Sequence, residues 1–166
     1  GDGSTDGGLP ATRPGSVISL LATTTQNVNA AATNNFLEWN VASPKWGADF
    51  THSTSTNNHQ ITINATGYYE ISATVALDAT SSTPTRYNGI LRMRNITSSG
   101  DFGPQGKGGY LREASGQDET SLHIPTFIYQ LTATHVIALK IDRESTTTDA
   151  VDTTTRASNL YIKRIG

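Results

Sequence analysis

The segment GYYEISATVALD at 67–78 constrains this chain most. A glycine opens it, and then every second residue is apolar: Tyr69, Ile71, Ala73, Val75 and Leu77. The alternate set, Tyr68, Glu70, Ser72, Thr74 and Ala76, is mostly polar. A period of two with one apolar face is the signature of a half-buried antiparallel strand.

The same period recurs along the chain. SVISLLATT (16–24) reads as a first strand, and FLEWNV (36–41) puts Leu37, Trp39 and Val41 on one face. QITIN (60–64) turns Ile61 and Ile63 inward ahead of an Ala-Thr-Gly turn. YNGILRMRNI (87–96) alternates Leu91 and Met93 against Arg92 and Arg94. SLHIPTFIYQL (121–131) is apolar at Leu122 and Ile124, then at Phe127, Tyr129 and Leu131. That change of phase around Pro125 predicts a bulge or an edge position. HVIALKIDR (135–143) and ASNLYIKRI (157–165) complete the set. Seven or eight strands with turn residues between them, and no helical period, predict an all-β antiparallel sandwich of jelly-roll type. It should occupy residues 16–166, behind an extended Gly/Pro/Asp-rich arm at 1–15. Two connections stand out: 97–108 reads as a Gly-rich loop, and 145–155 as a long Thr/Asp-rich hairpin excursion.

Composition bounds the function. Only 16% of residues are charged and the formal net charge is −2, so no charge field draws nucleic acid or an anionic membrane. Cysteine is absent, which excludes disulfides and thiolate metal sites. No apolar run reaches the ~18–20 residues that span a bilayer. The opening GDGSTDGG has neither an initiator Met nor a basic-then-apolar leader, so the expectation is a processed or excised portion of a longer protein.

Chemical motifs are missing. GDFGPQGKGG (100–109) fails the phosphate-loop pattern, since Asp101 stands where its first Gly belongs and Gly108 follows Lys107. His52, His59, His123 and His135 form no i, i+4 ligand pair, and solvated or hydrogen-bonded rings are expected. Asp2, Asp6, Asp149 and Asp152 lack an EF-hand spacing and read as turn residues. There is no nucleophile elbow. Asp118 and Glu119 are adjacent, and Glu70 lies on an outer face, so no acid pair converges. The sequons at Asn64 and Asn95 carry little weight in a chain so rich in Asn and Thr. The sequence therefore predicts no enzyme, no cofactor and no metal.

GYYEISATVAL (67–77), the late pair FIYQL and HVIALKID, and the closing NLYIKRIG (159–166) together resemble the trimeric jelly-roll superfamily of complement-type globular heads and tumour-necrosis-factor ligands. The late pair is joined here by Thr132-Ala133-Thr134 rather than the Gly-Asp turn common in that family. The resemblance implies a homotrimer. Trp39, Trp46, Tyr110, Phe127 and Tyr129 supply more aromatic surface than a small sandwich readily hides, and Trp39, Phe127 and Tyr129 are the residues expected at the subunit interface. Other candidates for surface contact are Trp46 and the basic-aromatic set Arg86, Tyr87, Arg92 and Arg94; for the arginines the alternative is a solvated face that blunts edge pairing. A cysteine-free, Thr/Ser/Asn/Gly-rich trimer behind a glycine-rich arm also looks like bacteriophage virion proteins. By that analogy the chain sits on the virion surface as capsid decoration, head fibre or fibre tip. Its partners would be itself, a major capsid or fibre/tail protein, and a host surface glycan or receptor. The alternative reading is a receptor- or glycan-binding head of an adhesin or secreted protein.

Overall fold

A computed structural model describes residues 15–28, 35–79, 86–108, 110–112, 119–143, 151–153 and 158–166; for Arg86, Arg112 and 151–153 it describes the backbone alone. The strands are β1 (Val17–Leu21), β2 (Asn35–Phe36), β3 (Val41–Trp46), β4 (Phe50–Thr51), β5 (Ile61–Ile63), β6 (Gly67–Ala79), β7 (Arg86–Asn95), β8 (Gly100–Gly106), β9 (Tyr110–Arg112), β10 (Glu119–Leu131), β11 (Val136–Arg143), β12 (Val151–Thr153) and β13 (Asn159–Arg164).

They form two antiparallel sheets. The first runs β10-β6-β13-β1-β3, with β12 also on β6. The second runs β4-β5-β11-β7-β8, with β2 on β11 and β9 on β7. The alternation of β6 is realised residue by residue. Tyr69, Ile71, Val75 and Leu77 are fully buried and Ala73 almost so, facing Leu91, Met93, Ile137, Leu139 and Ile141 of the other sheet within one continuous core. Leu160 and Ile162 of β13 and Ile18 and Leu20 of β1 extend that core.

The phase change in β10 is a β-bulge: its register on β6 shifts between Ile124 and Phe127. β10 is also the edge strand of the first sheet. A proline there removes no ladder bond that a central strand would need.

Two local readings are corrected. FLEWNV is not one strand. β2 ends at Phe36 and β3 begins at Val41, and between them Leu37 and Trp39 give their backbone amides to the Leu139 and Asn58 carbonyls while their side chains enter the core. The Gly-rich 97–108 is not a loop along its length, because Gly100–Gly106 is β8, paired to β7. Phe102 buries in the core there, and the glycines allow close approach to β10. A side chain at Gly103 (φ 71°) would strike the Phe127 ring, and one at Gly106 would strike the His123 carbonyl. Composition hid this strand, since glycine is a poor strand former unless a second chain segment lies against it.

The first visible residues and the C-terminus share one end of the sandwich. Arg164 donates its amide to the Ser16 carbonyl, and Tyr68 donates to Gly166. The arm at 1–14, most of the excursion at 145–155, and Asp2, Asp6, Asp118 and Asp149 lie outside the described residues.

Candidate interaction surface

The outward face of the first sheet is built from the polar register of β6 and its neighbours. Cross-strand pairing sets one row across it: Ile128 opposite Glu70, Glu70 opposite Lys163, Lys163 opposite Val17, and Val17 opposite Trp46. The ends of that row are large, apolar and open, Ile128 at 60% and Trp46 at 58% exposure. A second row places Gln130 beside Tyr68, whose carbonyl accepts from the Ile165 amide. Tyr68 and Ile165 are exposed as well. Solvent-facing apolar residues gathered on one sheet face mark an interaction site more often than scattered ones do.

At the β10 edge of this face lies an aromatic cluster. Phe102 of β8 sits 4.7 Å from Tyr129 and 6.4 Å from Phe127, ring centre to ring centre. Phe127 packs against the core, whereas Tyr129 remains 40% exposed, since among the described residues no strand lies beyond β10.

Two of the expected contact residues are corrected. Trp39 is fully buried in the protomer's own core and cannot meet another subunit. It lies between β2 and β3, where the chain passes over the core rather than along a sheet edge. Tyr87 is likewise buried, with Arg143 over its ring, and burial pushes its phenol well up. Its strand turns odd-numbered residues inward. Trp46 is exposed, and its indole N–H donates to the Gly15 carbonyl at 3.3 Å.

Arg92 and Arg94 are not an unpaired basic patch. β7 lies inside the second sheet, so they guard no edge. Arg94 meets Asp101 at 3.0 Å, Arg92 meets Asp142 at 3.3 Å and Asp101 at 3.4 Å, and Lys140 meets Asp142 at 3.2 Å. Burial raises the Asp101 carboxyl, but the Arg94 hydrogen bond and the charges of Lys140, Arg94 and Arg92 outweigh it and hold the group below its ordinary value. Asp101, one of the two acids of this network, was legible only as a failed phosphate-loop position.

The histidines are structural. His52 sets its ring nitrogens 3.0 Å and 3.3 Å from the Gln60 and Trp39 carbonyls. His59 stacks on Phe36; burial lowers its pKa, against Glu38. His123 lies between Ser121 and Thr74, and His135 contacts Asn95. Among the described residues, no three His, Asp or Glu side chains gather to hold a metal. Of the sequons, Asn95 is buried, and Asn64 donates its amide to the Ala48 carbonyl and the Thr51 hydroxyl.

No protein-family model matches the chain, and no curated protein sequence matches it. Solved structures do. Eiger TNF from S. frugiperda superposes with a TM-score of 0.59 at 14% identity, covering 93% of this chain and 94% of that one. The globular domain of zebrafish complement 1qA gives 0.58 at 12% identity, covering 93% and 98%. Murine APRIL gives 0.56 at 12% identity, covering 91% and 99%. The chain therefore has the jelly-roll fold of the tumour-necrosis-factor and complement-type heads.

Proposed function

We propose that this chain is a non-catalytic head module that assembles as a homotrimer and serves as a structural protein on the outside of a phage particle, as capsid decoration or as a head-fibre or tail-fibre tip. The observation that carries the assembly is the open apolar surface of the first sheet, Trp46, Tyr68, Ile128 and Ile165, beside the half-open Tyr129 edge. A protomer with unlike apolar patches on a face and on the adjoining edge suits heterologous packing, which closes into a ring when the rotation between copies closes. Three copies is the number implied by the family resemblance. The arm leaves from the end where Gly15 and Gly166 lie, so that end is assigned to the capsid or fibre partner, and the far end to protection or host contact.

The cysteine-free chain offers a direct test. A variant carrying Tyr129→Cys and Lys163→Cys should oxidise to disulfide-linked dimers and trimers, and each single variant should not. Antibody against the chain should label purified particles in electron micrographs. Only intramolecular or random cross-linking removes the assembly, and bare particles remove the virion placement.

A second reading is a receptor- or glycan-binding head of an adhesin or secreted protein. The fixed, exposed Trp46 ring favours it. Glycan-array hits lost on Trp46→Ala would select this reading.

A further inference from the structure

The row that crosses the outward face of the first sheet carries two charges between its apolar ends. Tyr69 and Ile71 are fully buried, so Glu70 between them faces outward. Leu160 and Ile162 are fully buried, so Lys163 falls on the same outward side. The register sets Glu70 and Lys163 directly opposite each other, and both are half-buried. Among the described residues neither takes part in an ion pair, whereas Arg92, Arg94, Lys140 and Arg164 each meet a carboxylate. The row therefore divides into two unlike halves. Beside the β10 edge stand Ile128 and Glu70, an apolar group with a negative one. Across the face stand Trp46 and Lys163, an apolar group with a positive one, joined through Val17.

We propose that this face is covered by a second copy of the chain, held in register by an ion pair between Glu70 of one protomer and Lys163 of the next. The pair presupposes the assembly proposed above and sets its register. A partner carrying one sign of charge would match one of the two groups and leave the other facing its like. A copy of this chain presents to each half the half that complements it. Covering the face without that match would take a carboxylate and an ammonium out of water unpaired, which is costly. Once matched, the pair contributes selectivity more than affinity. It admits the register that joins unlike halves and opposes those that set Glu70 against Glu70 or Lys163 against Lys163. The apolar ends, open at 60% for Ile128 and 58% for Trp46, supply the area that drives association.

The test is native mass spectrometry of the full chain, with circular dichroism on every variant. Glu70→Lys and Lys163→Glu should each give a folded monomer at concentrations where the parent assembles. Mixed in equal amounts, the two reversed chains should associate with each other, and the mixed particles should come apart as salt rises. They should be weaker than the parent, since a ring of three built from two kinds retains one like-charged contact. Carrying both reversals on one chain should restore assembly. Mixing separates a pair between protomers from a pair within one, because neither reversed chain holds opposite charges at these two positions. Like charges directly opposite on neighbouring strands lower stability. Glu70→Gln and Lys163→Gln avoid that repulsion, and each should keep the fold and weaken association about tenfold. Three results overturn the pair while leaving the assembly: the reversed chains assemble as the parent does, their mixture stays monomeric, or the glutamine variants associate as tightly as the parent. A parent of two copies, in which the row meets itself reversed, would keep the pair and remove the count of three. A parent that is itself a folded monomer would overturn the assembly and the pair together.

Discussion

At the scale of single residues, some large side chains hold the protomer together and others face outward. Trp39 belongs to the first group. Trp39→Ala should cost about 3–5 kcal/mol of protomer stability, read by urea unfolding, because it empties a large, fully enclosed site. A loss confined to oligomer mass, with unfolding unchanged, would put the ring back at an interface. Gly106→Val should cost about 1–3 kcal/mol by forcing β8 away from the His123 carbonyl. Acid should destabilise the fold in two steps with the same sign. His59 has its folded pKa lowered, so its contribution is present above its ordinary value near 6.5 and is lost as pH falls below it. Asp101 is also lowered, so its contribution is present above the ordinary carboxylate value and is lost as pH falls through that value toward the lowered folded one. Thermal unfolding against pH checks this, and Asp101→Asn should flatten the lower step.

At the scale of elements, periodicity was the legible part. β6, β7, β11 and β13 follow from alternation alone, since one face of each is sealed by the opposite sheet and a shift of one residue would expose it. The β10 bulge was legible too, from the phase change across Pro125. β8 was not legible, because what makes it a strand is the approach of β10 to its glycines, which composition cannot report. Nor was the enclosure of Trp39 and Tyr87. An aromatic residue in a strand-like segment has the same local pattern whether its face meets its own core or a neighbour. The ion network is equally non-local, joining β7, β8 and β11. For β10 itself, Ile128→Lys should leave the protomer fold intact, since that side chain is open to solvent, and should weaken association at least about tenfold by burying a charge. Circular dichroism with analytical ultracentrifugation measures both.

For the whole molecule, the two sheets enclose one continuous core yet leave one sheet face and one edge with apolar groups in water. Its fold matches heads of the tumour-necrosis-factor and complement types across more than nine-tenths of the chain at 14% identity or less, which carries architecture and nothing finer. The central claim is that this surface is covered by further copies of the same chain. Native mass spectrometry of the purified full chain tests it most directly. The account predicts a trimer that Ile128→Lys converts to folded monomer. A folded monomer at micromolar concentration, with Tyr68, Ile128 and Tyr129 free, would contradict it.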